Sequence, residues 1–210
     1  MATMRTGRIA LVCAASVLAL VAGAGGAAQV DSVTVSHRDG RFTIVFDGVV
    51  DAPAARVYDV LSDYARLGRL NPAITAVSVT GRPTPQTERV RSVIESCVLL
   101  FCRKIVQVLD VTRPDARTIV DHVVPGQGDF EGGSSTWRIT NQGPRTRLRY
   151  EATRVAAFWI PPLIGPWAIE RTLREQLEFS VAILERLASE KPVSSPRGAD
   201  RNPEQRLFGN

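Results

Sequence analysis

The side chains able to do chemistry are few, and their spacing excludes most of it. The histidines are His37 and His122, and neither stands at metal-ligand spacing from the pair Cys97 and Cys102, which excludes a zinc site. Serines are plentiful, but no Gly-x-Ser-x-Gly elbow, histidine cluster or metal-ligand spacing accompanies them. His122 follows Asp121 in a strand-like stretch. Neighbours in a strand point to opposite faces, so the two cannot form a side-by-side dyad and at most one enters the interior. A lone strand histidine is more often a core or surface residue. As the one histidine of this stretch, His122 is still the residue expected to orient a ligand head group. Gly132-Gly133 lacks phosphate-loop spacing and precedes a strand rather than a helix, so it reads as a bulge or turn. No catalytic residue, metal or cofactor is assigned.

The chain of 210 residues carries a net charge of +5. Its first 28 residues follow the order of a secretory signal: Arg5 and Arg8, an apolar run from Ile9 to Val21, then small residues, with cleavage expected after Ala24, Ala27 or Ala28. The alternative is an uncleaved anchor, although spanning a bilayer takes ~20 apolar residues. Cys13 sits in mid-run behind Val12 and is not placed for lipid attachment. The remaining arginines are scattered among acidic residues, with no basic stripe to track a nucleic acid. A domain is expected over 31–190. Beyond it, 191–210 shifts to Pro, Ser, Gly, Asn and charge, the composition of a disordered tail.

The elements that must position any site follow from periodicity. Arg38-Asp39-Gly40 between apolar runs signals a hairpin of 33–36 with 42–50. Asp51-Ala52-Pro53 opens a helix with the apolar stripe Val57, Val60, Leu61, Tyr64 and Leu67, and Asn71-Pro72 stops it. Strands then read near 74–80, 88–96, 103–112, 117–124, 130–140 and 145–156, with breakers at Gly81-Arg82-Pro83, Arg113-Pro114-Asp115, Pro125–Gly128 and Asn141–Pro144. In the last strand Arg147, Arg149 and Glu151 alternate with Leu148, Tyr150 and Ala152, so the second set faces the core. A helix from about Pro166 to Ser189 closes the domain, with Ile169, Leu173, Leu177, Val181, Leu184 and Ala188 along one side.

Export would place Cys97 and Cys102 in an oxidising compartment, where a disulfide persists. In a straight strand, residues five apart are ~16 Å distant and cannot be bridged. A disulfide therefore requires a turn, read as a four-residue tip Val98–Phe101; the alternative is two free buried thiols in one strand. In an antiparallel meander every second connection lies at the same end. The apolar tip, the Pro125–Gly128 loop and the segment Phe158–Trp167 should thus share one rim. That rim is the mouth of a cavity, a surface that touches membrane, or both; the alternative is a satellite core in which the tip packs against the Trp-rich loop.

Asp51-Ala52-Pro53, Val57, Leu61, Asp63-Tyr64, Asn71-Pro72 and Ile74 resemble the opening helix of the polyketide cyclase and coenzyme Q-binding START-like (SRPBCC) family, in its exported bacterial branch. The resemblance covers about residues 41–188. It implies an α+β helix-grip fold: a curved antiparallel sheet of about seven strands round a long C-terminal helix, with a short helix after the first strand. It also implies a hydrophobic cavity for lipid, quinone, sterol or polyketide ligands, and no universal catalytic set. The expected function is non-enzymatic binding, extending to transport, of an apolar or amphipathic small molecule in the periplasm or outside the cell; a cyclase acting on a polyketide-like substrate is the alternative. Leu100, Phe101, His122, Trp137, Tyr150, Phe158, Trp159, Leu163, Trp167 and Leu173 are the expected ligand contacts. The protein is expected to be a monomer with transient membrane contact through the rim.

Overall fold

The computed structural model describes residues 28–38, 40–159 and 166–190. The expected signal segment and tail, and Leu163, lie outside them. Strands β1 (Gln29–Arg38) and β2 (Arg41–Val50) form the first hairpin, with Gly40 at φ 74° in its turn. Helix α1 (Ala54–Ser62) and a 3-10 segment (Tyr64–Arg69) follow, so the short helix comes after the second strand rather than the first. Strands β3 (Ile74–Thr84), β4 (Thr87–Val98), β5 (Phe101–Asp115), β6 (Thr118–Val123), β7 (Phe130–Gln142) and β8 (Arg145–Ala156) run as a meander before helix α2 (Pro166–Ser189). Among the described residues the sheet has eight strands, one more than expected, in the order β1-β2-β8-β7-β6-β5-β4-β3, all antiparallel.

Two hydrogen bonds from α2 show how far this sheet curls. Arg174 Nη2 donates to the Val33 carbonyl on β1 at 2.7 Å, and Gln176 Nε2 donates to Ser96 Oγ on β4 at 3.1 Å. Strands lie ~4.8 Å apart, so β1 and β4 would stand nearly 30 Å apart in a flat sheet. Residues two apart on one helix reach both only because the sheet wraps around it.

Two expected breakers lie inside strands. Pro83 is in β3, an edge strand, where a missing N–H leaves no outer partner unbonded. Pro114 is in β5, beyond the last β4 partner, Thr112, and within a register shift against β6.

Packing along α2 is uneven. Val181, Leu184 and Ala188 are buried against Phe46, Val50, Val57 and Leu148 in the main core. Ile169, Leu173 and Leu177 belong to the same stripe but are only half-buried. Glu185 ties the packed end down, accepting from the backbone N–H groups of Ala28 and Asp51 at 3.1 and 2.7 Å. The N-terminal half of the stripe therefore lies over space that core side chains do not fill.

Candidate functional site: a two-chambered cavity under α2

An outer chamber of about 400 Å³ lies beneath the first half of α2, lined by Phe42, Ile44, Phe101, Phe130, Phe158, Trp159, Ile169 and Leu173 among others. An inner chamber of about 240 Å³ continues towards the 3-10 segment and includes Tyr64, Trp137, Tyr150 and Leu177. Arg154 lines both and stands at the partition.

The rim of the outer chamber is built from three chain connections. Cys97 and Cys102 are bonded to each other and are register partners, and Val98 pairs with Phe101. The turn is therefore Leu99–Leu100, two residues rather than four, because the ladder continues one pair past the disulfide. Leu99 takes a left-handed φ of 56° there. The cysteines are exposed at the rim rather than buried. Arg103 joins this hairpin to its neighbours. Its guanidinium lies 4.2 Å from the Phe158 ring centre, and its Nη2 donates to Asp129 Oδ1 at 3.2 Å. Asp129 Oδ2 in turn accepts from the Val106 N–H at 2.7 Å, so the β6–β7 connection is fastened against β5. Phe130 meets Phe158 edge to face, with centroids 6.3 Å apart. Leu100 is 95% exposed and Trp159 74%, so this rim is not a closed satellite core.

Phe101, Phe158, Trp159 and Leu173 line the outer chamber, and Trp137 and Tyr150 line the inner one. Trp137 and Tyr150 stack at 4.4 Å, and Phe46 packs edge-on against Trp137 at 6.2 Å. Leu100 and Trp167 are exposed, Leu100 at the tip and Trp167 near the start of α2. His122 requires correction: it is exposed on the outer face of β6, and strand alternation instead directs Asp121 inward.

Asp121 belongs to a buried polar cluster that the sequence reading missed. It faces Ser135 across the β6–β7 ladder, and Ser135 faces Ala152 across β7–β8. The small Ala152 leaves room for Arg154 to reach diagonally, where Nη2 donates to Asp121 Oδ1 at 2.9 Å. Arg154 Nε donates to Gln107 Oε1 at 3.2 Å and Nη1 to the Thr153 carbonyl at 2.9 Å, while Ser135 Oγ donates to Asp121 Oδ2. Opposite Arg154 stands Gly133, at φ 133°, where a Cβ would meet the Thr153 carbonyl oxygen at 2.1 Å. Burial pushes the Tyr150 phenol above its ordinary pKa, so it stays protonated as a neutral donor and acceptor. The signal for Arg154 was present: the alternation that buries Leu148, Tyr150 and Ala152 also buries the next even-numbered position.

Such a site can hold an elongated molecule with an apolar body and one hydrogen-bonding end. Among the described residues, no group of His, Cys, Asp or Glu is arranged to hold a metal ion. No described helix is long and apolar enough to cross a membrane.

A sheet wrapped round one long helix with a hollow between them defines the helix-grip, START-like class. The family model for polyketide cyclase/dehydrase and lipid transport matches residues 23–189, and the chain belongs to that family. Solved structures with the same fold include a START superfamily protein from Mycobacterium smegmatis, 22% identical with a TM-score of 0.54, covering 69% of this chain and 94% of that one. The Zhui aromatase/cyclase from Streptomyces sp. R1128 is 18% identical with a TM-score of 0.56, covering 70% and 93%. Human STARD10 is 13% identical with a TM-score of 0.52, covering 72% of each chain. No curated protein matches the chain by sequence.

Proposed function

We propose that this protein binds an apolar or amphipathic small molecule non-covalently and carries it within the cell envelope. The observation that carries this reading is the outer chamber of about 400 Å³, apolar along its walls and ending on a buried polar cluster. Transfer of apolar ligand surface into it contributes roughly 25 cal/mol per Å² before ordering costs. The family description includes lipid transport, which agrees with a cargo that leaves unchanged. The disulfide favours an oxidising compartment, and the exposed Leu99, Leu100, Phe101, Trp159 and Trp167 suit loading by transient contact with a membrane.

The same family description names cyclases and dehydrases, and the Asp121–Ser135–Arg154 cluster is a place in the cavity where acid-base chemistry could occur. Asp121 is engaged on both oxygens, which disfavours it as a free base. Native mass spectrometry of protein purified from its own envelope tests the main reading. A bound, chemically unchanged lipid-like molecule is the expected result. A modified product whose formation stops in Asp121→Asn would replace binding by catalysis.

A further inference from the structure

The charges around the cavity restrict what its ligand can be. Among the described residues the charged side chains lining the two chambers are Arg103, Asp121 and Arg154. Each already has an ionic partner: Arg103 with Asp129 at the mouth, and Arg154 with Asp121 at the partition. Arg154 and Asp121 are 7% and 8% exposed, so water does little to screen them. The pair is neutral as a unit.

We infer that the cavity selects a ligand whose head group is uncharged and oxygen-bearing, such as an alcohol, ketone or quinone carbonyl, and rejects the carboxylate of equal length. This rests on the binding reading above and narrows it to a ligand class. Arg154 retains free hydrogen-bond donors for such a head group. Three of the Arg154 N–H groups are committed to Gln107, Thr153 and Asp121, which leaves one N–H on each Nη. A hydroxyl or carbonyl oxygen can accept from these without adding charge. The Tyr150 hydroxyl, in the same inner chamber, is a further neutral partner.

Electrostatics act in the same direction. A carboxylate approaching Arg154 would meet Asp121 on the same guanidinium, and would bring a net negative charge into an apolar hollow. Removing an ion from water is costly unless an unpaired counter-charge awaits it, and here that counter-charge is already used. With its head at Arg154, the ligand's apolar body would run past Ile44, Ile169 and Leu173 towards the rim.

The test uses the whole domain with Nile red as a neutral reporter, displaced by decan-1-ol, decan-2-one or decanoate at pH 7. The alcohol and ketone should displace it with affinities at least tenfold better than decanoate, a ratio of roughly the size expected when a charge must be desolvated unpaired. Asp121→Asn keeps the side-chain shape but leaves Arg154 unbalanced, so the preference should swing at least about tenfold towards decanoate. Equal or better binding of decanoate by the wild-type protein overturns the inference while leaving the binding reading intact. So does an Asp121→Asn protein that folds and keeps the alcohol preference. If Asp121→Asn does not fold, the wild-type ratio decides alone. Failure of Nile red and all three competitors to bind overturns both readings.

Discussion

The guanidinium of Arg103 lies 4.2 Å from the centre of the Phe158 ring and so fastens the disulfide hairpin to the segment after β8. Both elements contribute side chains to the lining of the outer chamber. Because Arg103 is 47% exposed, the contact contributes only about 1 kcal/mol or less to stability. Its larger effect should be on opening. Arg103→Gln should speed Nile red entry and exit roughly threefold, corresponding to a barrier change below 1 kcal/mol, with little change in equilibrium affinity. Stopped-flow fluorescence measures both rates. Unchanged rates would show that the mouth does not limit exchange.

Leu100 is 95% exposed, so its side chain supports nothing in the folded protein. A surface substitution there stays within about 0.5 kcal/mol of wild-type stability. If the tip enters a membrane, burying Leu100 contributes roughly 1.5–3 kcal/mol, and a carboxylate at this position would cancel it. Leu100→Asp should therefore reduce binding to phosphatidylcholine–phosphatidylglycerol vesicles at least tenfold while the thermal midpoint holds steady. Flotation and a melting curve check the pair of outcomes.

The fold is legible in the sequence where a pattern is local. The α2 stripe from Ile169 to Ala188 repeats at helical spacing, and its expected span agrees with Pro166–Ser189. Cys97 and Cys102 revealed a turn that no Gly, Pro or Asn announces, because their separation permits a bridge only if the chain reverses. Pro83 and Pro114 misled because proline breaks a strand only where its N–H is needed, which depends on which strand lies alongside. The Arg154–Asp121 pair was the deepest omission. The partners are 33 residues apart, and their meeting depends on the registers of β6, β7 and β8 together. The place of Arg154 in the alternation of β8 points inward, on the same face as Leu148 and Ala152. His122 is the converse case: imidazole chemistry points to it, whereas strand parity places Asp121 inward and His122 outward.

Acid should weaken the fold through two ion-paired carboxylates, Glu88 of β4 and Asp110 of β5. The hydrogen bond from Arg113 Nη2 to Glu88 Oε2, 2.5 Å long, is the main cause holding the Glu88 carboxyl below its ordinary value of 4.5. Arg89 likewise lowers Asp110 from 3.8, chiefly by hydrogen bonding. With folded pKa values below unfolded ones, the unfolded chain binds protons first as pH falls. The stabilisation is thus complete above about pH 5 and disappears as pH drops through the folded values. Glu88→Gln should lower stability at pH 7 by about 1 kcal/mol, and the deficit should shrink towards pH 3. Urea midpoints at the two pH values measure this. A deficit of equal size at both would mean that packing, not charge, accounts for it.

The difference between the two halves of α2 gives the strongest test of empty space beneath it. Leu173 is half-buried on the outer chamber, whereas Leu184 is 2% exposed and packed into the core. Enlarging a side chain in a filled core forces neighbours off their rotamers and costs about 1–3 kcal/mol. Enlarging one that faces a hollow adds contacts at little strain. Leu173→Trp should therefore abolish Nile red binding with the thermal midpoint unchanged or raised, while Leu184→Trp should lower the midpoint by several degrees, about what 1–3 kcal/mol corresponds to in a domain this size. Melting curves and Nile red titration of both variants distinguish the two sites. Equal destabilisation by the two substitutions would mean that the space under Leu173 is filled, and the binding reading would fall with it.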